Sequence, residues 1–363
     1  MRRLLLLSIF AIAVATAAWP ADKKQKKEQE TQALEVLPDP PAAVTAETGR
    51  LVFRVSPLTT KGLLSQQVRT ALKWLLQQDN RASVVKLRAF VAGTGDMRRV
   101  QAIVSEVFSE RRLQLPALSV VQAGALPLEG AQVVIESMAL DRKTVNPNGL
   151  AFVSGQGASV DQPLQPILPL FEQSLARMRS TLAATGLEPA DVLRATCYLS
   201  SLDDFTPIRE RAYAAFPKAA LNFVQRTREP LESIVECEAV ARLRRPPAEP
   251  LVFANHSDVA LVRARKLALT GTQLAFGFRE ADARLAFQRL GKSLEQAGAS
   301  FNRVAVASVY PLSRSIADLV RKVRPEFLSA ERPPAGTMLP FQGLPSLDAS
   351  FALDVIAVVP DTP

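Results

Sequence analysis

The sequence predicts an α+β protein made of three tandem copies of one unit, and three observations predict it. First, Ala82–Met97 aligns without gaps to Ala190–Phe205 and to Asn302–Ala317, at shifts of 108 and 112 positions. Second, an amphipathic helix precedes each of these stretches. Third, a strand closes each copy. Because a repeat of this length is domain-sized, each copy is expected to form its own sheet.

The N-terminus has the pattern of a secretory signal over residues 1–17. Arg2 and Arg3 form a charged start, Leu4–Val14 is apolar, and Ala15–Ala17 offers a small-residue cleavage site. The apolar run is shorter than the roughly 20 residues of a spanning helix. We therefore expect export to the periplasm or the medium, without stable membrane insertion after cleavage. An uncleaved signal that serves as a membrane anchor remains the alternative.

Residues 18–48 are expected to form a solvated tether. They contain the charge run Asp22–Glu30 and a Pro-rich stretch near Pro38, which offer little apolar surface for a core.

Composition excludes several function classes. The net charge of +9 includes two arginines of the signal, and the other basic residues are scattered, so no nucleic-acid partner is predicted. One histidine and two separated cysteines provide no ordinary metal set, and no cofactor is predicted. His256, just after a Pro-rich linker, is expected to be a turn or strand-entry residue.

Each copy reads as strand, helix, strand, helix, loop and strand, with boundaries at 49–141, 142–245 and 251–359. Gly186 and Gly298 follow the first helices of the second and third copies, where glycine suits a left-handed stop. The first copy lacks an opening strand, or the tether replaces it. One pair of copies followed by a divergent tail domain is the alternative. The first helices carry apolar residues at helical spacing: Val68, Leu72 and Leu75; Phe171, Leu175, Met178 and Leu182; Phe287, Leu290, Leu294 and Ala297.

In the second copy, apolar and polar residues alternate with a period of two in residues 192–199 and again in residues 234–241, which indicates two half-buried strands. Leu193, Ala195, Cys197 and Leu199 share one face of the first; Arg194, Thr196 and Tyr198 share the other. Val235, Cys237 and Ala239 lie opposite Glu236 and Glu238 in the second. Both cysteines are expected on the helix-facing side as buried thiols. Export permits a disulfide, but that pairing demands close alignment of the strands.

Several short motifs in this order resemble the Rid family of imine/enamine deaminases, also called YjgF-like or L-PSP proteins. The motifs are FVSGQ at Phe152–Gln156, the strand ending in YLSSLDDF, and VECEAVA at Val235–Ala241. The resemblance implies the chorismate-mutase-like fold, in which a six-stranded mixed sheet carries two helices on one face. It also implies homotrimers with ligand clefts between subunits. Three copies in one chain are thus expected to close as an intramolecular pseudo-trimer, so that the chain is a monomer.

The resemblance further implies a carboxylate-binding Arg in the motif PAR and a water-positioning Glu on the last strand. The Arg position holds Leu118, Leu221 and Gly336 in the three copies, and the Glu position holds Val134, Glu236 and Ala352. A Ser-Gly turn that presents backbone groups to the ligand corresponds to Ser56–Pro57, Ser154–Gly155 and Thr270–Gly271. Glu236 is thus the candidate catalytic residue. Ser154, Gly155, Leu221, Thr270 and Gly271 are the candidate ligand-binding residues.

Loss of the Arg predicts a non-catalytic protein that binds a small metabolite in a cleft between copies or serves as a scaffold. The alternative is a degenerate deaminase or related hydrolase that uses Glu236 and borrows a cation from Arg194, Arg226 or Arg228. An L-PSP-type endoribonuclease is a minor alternative.

Overall fold

The computed structural model describes residues 37–78, 83–93, 95–203, 205–228 and 230–361. The signal and most of the predicted tether lie outside the described residues. None of the described helices is long and apolar enough to span a bilayer.

The described elements repeat in one order. A strand that precedes the first copy is β1 (Ala43–Glu47). The first copy contains β2 (Leu51–Val55), α1 (Leu64–Gln78), β3 (Ser83–Ala92), α2 (Arg98–Glu110), β4 (Ala117–Ala123) and β5 (Val133–Leu140). The second contains β6 (Leu150–Val160), α3 (Leu168–Ala184), β7 (Val192–Leu199), α4 (Phe205–Ala215), β8 (Ala220–Gln225) and β9 (Ser233–Arg242). A hairpin follows, with β10 (Leu251–Ala254) and β11 (Val259–Val262). The third copy contains β12 (Lys266–Thr270), β13 (Gln273–Phe276), α5 (Glu280–Gln296), β14 (Val304–Pro311), α6 (Arg314–Val323), β15 (Ala335–Met338) and β16 (Ala349–Val359).

Three mixed sheets confirm the α+β class and the three copies. Their strand orders are β2-β5-β3-β4, β10-β11-β6-β9-β7-β8, and β1-β12-β16-β14-β15 with β13 also on β16. In each sheet the last pair is parallel and the closing strand pairs antiparallel with its neighbours. Equivalent residues of the three copies also pair in the same way: Arg88 with Glu136, Thr196 with Glu238, and Ser308 with Asp354. Because the third copy repeats this topology, a divergent tail domain is excluded.

Two kinds of core stabilise the fold. Each copy buries the apolar side of its helices on one face of its own sheet, and Leu72, Leu182 and Leu290 occupy these three cores. The other faces meet in shared cores that contain residues of all three sheets, such as Phe53, Phe152 and Ile356. Gly186 and Gly298 have the predicted left-handed conformation, both with φ of 72°.

Contacts between the copies follow a cyclic order. The last strand in each of these sheet orders (β8, β15 and β4) contacts the opening strand of another copy (β2, β6 and β12, respectively). The second copy thus contacts the first, the third contacts the second, and the first contacts the third.

The segments that connect the copies cover the edges of other sheets. Strand β1 pairs along β12 of the third copy, so the prediction of a tether through residue 48 is wrong for residues 43–47. The Pro-rich composition ends just before this strand, and Ala46 faces the shared core. The hairpin 251–262, assigned by sequence to the third copy, pairs with β6 of the second copy. At the edge of β2, the Asn146 side chain donates to the Leu51 carbonyl at 2.8 Å. These segments satisfy backbone groups that an open sheet edge would expose.

The prediction of two free thiols is also wrong. Cys197 and Cys237 form a disulfide, because β7 and β9 are neighbours and place the two residues directly opposite each other, with Cα atoms 4.1 Å apart. This is close to the spacing of a non-hydrogen-bonded antiparallel pair. Both lie in the predicted core between sheet and helices. Leu193 departs from its predicted face, because a bulge between Val192 and Arg194 turns it toward the shared core.

Six buried charged side chains meet between the three sheets. This central charge cluster contains three cations and three carboxylates: Lys86, Arg88, Arg194, Glu136, Glu238 and Asp354. The carboxylates occupy the same position on the three closing strands, one in each copy.

Arg88 of the first copy is bound on two sides in this cluster. Its Nε donates to Glu136 Oε2 at 2.8 Å within the copy, and its Nη2 donates to Glu238 Oε1 of the second copy at 2.6 Å. Lys86 Nζ donates to Asp354 Oδ1 of the third copy at 2.9 Å. Although burial opposes ionisation, Arg88 and Arg194 lower the pKa of Glu136 to about 2. Glu136 therefore stays ionised at neutral pH, and the ion pairs of the cluster connect all three copies.

Candidate functional site

The structure distributes the predicted site residues over three clefts between copies. Ser154 and Gly155 face the third copy, since the Gly336 backbone N–H donates to Ser154 Oγ at 3.1 Å. Thr270 and Gly271 lie beside Leu118 of the first copy, whose carbonyl accepts from Thr272 N at 3.1 Å.

Leu221 lies in the remaining cleft, between the first and second copies, with Ser56 and Pro57. Leu221 and Glu236 are therefore in different clefts, although both belong to the second copy. The fifteen-residue spacing places both residues in the same copy. Each cleft, however, is formed by two different copies, so Leu221 faces the first copy whereas Glu236 lies beside the turn that faces the third. The Glu position that accompanies Leu221 is Val134 of the first copy. The Arg position that accompanies Glu236 is Gly336 of the third copy.

Glu236 packs against the backbone of the Ser154–Gly155 turn. A Cβ on Gly155 would lie 1.8 Å from Glu236 Oε1, so the carboxylate occupies space that only glycine leaves open. Among the described residues no hydrogen-bond partner reaches this carboxylate. Burial raises the pKa of Glu236 to about 7; Glu238 and Glu232 act in the same direction, and Arg226 opposes them. Such a carboxyl group can accept or donate a proton near neutral pH.

Of the three cations expected to replace the missing Arg, Arg226 is the one that acts on Glu236 electrostatically. Arg194 belongs to the central charge cluster, 3.3 Å from Glu136. Arg228 is exposed, and its backbone N–H donates to Gln342. Arg226 is buried and donates to Glu232 at 2.8 Å. Because Arg226 is already paired, it is a poor substitute for a bidentate carboxylate anchor.

The third copy cannot supply that anchor. A Cβ on Gly336 would lie 1.9 Å from the Ala307 carbonyl oxygen of the paired strand β14. Any side chain at this position would have to displace backbone, so the cleft that contains Glu236 lacks a guanidinium at the Arg position for steric reasons.

The cleft between the first and second copies contains a cavity of about 630 Å³, within the range of small-molecule sites. Phe53, Val134 and Leu221 form apolar parts of its lining, and Trp74 and Phe205 add aromatic rings.

The polar groups deepest in this cleft already have partners. Ser56 Oγ accepts from Ile135 N at 2.9 Å, and Asn222 Nδ2 donates to Glu136 at 2.7 Å. Sequence reasoning missed this cavity. The signal that could have found it is that apolar residues, Leu221 and Val134, occupy the Arg and Glu positions of the same cleft. These two residues belong to different copies, so the signal can be used only when it is known which copies form each cleft.

No group of three or more His, Cys, Asp or Glu residues in the described part of the chain is placed to hold a metal ion. His256 lies in the turn between β10 and β11 with φ of 54°, as predicted.

Comparisons with known proteins agree on one family. The family model described as Endoribonuclease L-PSP matches residues 42–141 and 142–246. Among solved structures, a YjgF family member from Neisseria meningitidis is 16% identical, covering 28% of this chain and 86% of its own, with a TM-score of 0.25. RidA from an Antarctic Psychrobacter is 22% identical; the match covers 30% of this chain and 86% of the RidA chain, with a TM-score of 0.24. No curated protein matches the chain.

The raised pKa of Glu236 predicts a pH-dependent stability difference between the native chain and Glu236→Gln. A carboxyl whose folded pKa exceeds its ordinary value of 4.5 stabilises the fold below that value. This contribution is lost as the pH rises to about 7. The free energy of unfolding of Glu236→Gln, relative to that of the native chain, should therefore increase between pH 5 and pH 8 by on the order of 2 kcal/mol.

Urea unfolding at four pH values across this range measures the difference. The exposed Glu210→Gln is the control and should show no such trend. An equal stability difference at pH 5 and pH 8 would show that Glu236 titrates normally.

Proposed function

We propose that this chain, which belongs to the Endoribonuclease L-PSP (Rid, YjgF-like) family, binds the apolar part of small molecules without transforming them. The observation that carries the proposal is the cavity of about 630 Å³ between the first and second copies, where leucine and valine occupy the Arg and Glu positions. Apolar surface that leaves water on binding supplies the affinity. Neither Leu221 nor Val134 can hold a carboxylate or position a water.

The alternative is a hydrolase that uses Glu236, and one observation favours it. The pKa of Glu236, about 7, suits a general acid or base. The substrate's carboxylate would enter beside Gly336, where a glycine occupies the Arg position. Burial of an unpaired charge costs several kcal/mol, and about 1.4 kcal/mol of lost transition-state binding is a tenfold loss in rate. We therefore place binding first.

The binding proposal predicts that 4-phenylbutanol changes the fluorescence of Trp74, which lines the cavity. The chain has two tryptophans, so Trp19→Phe makes Trp74 the sole reporter. Leu221→Asn, which brings a polar group into the cavity, should weaken binding about tenfold, because it removes an apolar contact worth roughly 1–3 kcal/mol.

Leu231→Asn is the matched control, since Leu231 is exposed and lies outside this cavity. Binding that is unaffected by Leu221→Asn would place the ligand elsewhere. Ammonia release from a freshly generated imino acid that disappears in Glu236→Ala would establish the hydrolase instead.

We further propose that the chain is exported and closes on itself as a pseudo-trimer. The signal-like start supports export, and the Cys197–Cys237 disulfide suits an oxidising compartment. The cyclic contacts and the central charge cluster support closure within one chain.

Mature protein should therefore be recovered outside the cytoplasm, begin near Ala18 or Trp19, and be monomeric. N-terminal sequencing and light scattering of one preparation test this, with a mass below the 39.4 kDa of the full chain expected. An intact Met1 in a soluble cytoplasmic fraction would contradict export, and a stable trimer of chains would contradict closure.

A further inference from the structure

We propose that the ligand of the cavity between the first and second copies is an amphipathic organic carboxylate that enters apolar end first. Its carboxylate remains at the mouth, beside Arg209 and Lys218. This inference rests on the proposed function and names the ligand class for the same cavity.

The charges that line this cavity have one sign. The cations that line it are the half-buried Arg54 on β2 and the exposed Arg209 on α4 and Lys218 just before β8, and none of the described residues that line it is acidic. Among the described residues neither Arg209 nor Lys218 forms an ion pair. Arg209 lies over the Phe205 ring, with its guanidinium carbon 5.9 Å from the ring centroid. The opening is therefore basic, and a ligand's negative charge is stabilised there.

The deep part of the cavity has the opposite character. Phe53 and Val134 are buried, at 4% and 2% exposure. At this depth Ser56 Oγ accepts from Ile135 N, and Asn222 Nδ2 donates to Glu136. A carboxylate placed there would lose its hydration without meeting a cation among the buried lining residues that the structure describes, so the deep end accepts the apolar part of a ligand.

Together these two features fix the direction of the ligand. The resemblance to the Rid family implies an arginine on the strand that draws a carboxylate inward, but that position is Leu221 here. The exposed basic groups lie instead on α4 and just before β8, at the outer surface, whereas the half-buried Arg54 on β2 donates to the Phe53 carbonyl at 3.4 Å. Trp74 and Phe205 on the walls suit an aromatic or alkyl body.

The test compares 4-phenylbutanoate with the uncharged 4-phenylbutanol by calorimetry on the full mature chain. The double variant Arg209→Ala/Lys218→Ala removes only exposed side chains. The double variant should bind 4-phenylbutanoate about fivefold or more weakly than the native chain does. Its affinity for 4-phenylbutanol should stay within about twofold of the native value. The affinity of the native chain for the carboxylate, but not for the alcohol, should also fall with rising salt.

Arg211→Ala is the matched control, because Arg211 is an exposed cation on the same helix that does not line the cavity. It should leave both affinities unchanged. If the double variant left carboxylate binding intact, or weakened both ligands equally, the charged mouth would be refuted while the apolar cavity stood. If neither ligand bound the native chain, the proposed function itself would fail.

Discussion

The central charge cluster is the constraint on which the arrangement of the copies depends. Three carboxylates at equivalent positions of the closing strands are buried together and would repel one another. Three cations balance them, but these are unequally distributed: Lys86 and Arg88 come from the first copy, Arg194 from the second, and none from the third. Removing one partner of a buried ion pair leaves an uncompensated charge, which is strongly destabilising. Each copy therefore needs its neighbours, and the unequal distribution distinguishes the three places in the cycle.

Covalent linkage of the copies explains how the clefts diverged. In an assembly of identical subunits one substitution changes every cleft, whereas here each cleft has its own two sides. Glu236 remains in a cleft whose Arg position is Gly336, and Gly336 is held without a side chain by the Ala307 carbonyl. The cavity of about 630 Å³ lies in the cleft where Leu221 and Val134 occupy the two positions at which the resemblance implies Arg and Glu. An apolar cavity thus lies at these positions.

The sequence predicted the repeated unit and the left-handed glycine stops after two helices, because these are local or follow from a shift along the chain. Arg88 pairs with Glu136, and its equivalent Thr196 pairs with Glu238, so equivalent positions of the repeated unit pair in the same way in both copies. It did not predict what lies across each interface. A period of two shows which face of a strand is buried, but not which strand covers it. For this reason strand β1, the Cys197–Cys237 disulfide and the separation of Leu221 from Glu236 emerged only from the structure.

The stability of Arg88→Met tests most directly whether the central charge cluster connects the copies. The matched control is Arg284→Met, since Arg284 pairs with Glu326 at 2.7 Å on the surface of the third copy. Urea unfolding should show a loss of about 3–5 kcal/mol for Arg88→Met and of less than about 1 kcal/mol for Arg284→Met. Equal small losses in both variants would contradict the account, because they would show that the copies remain together without the buried charges.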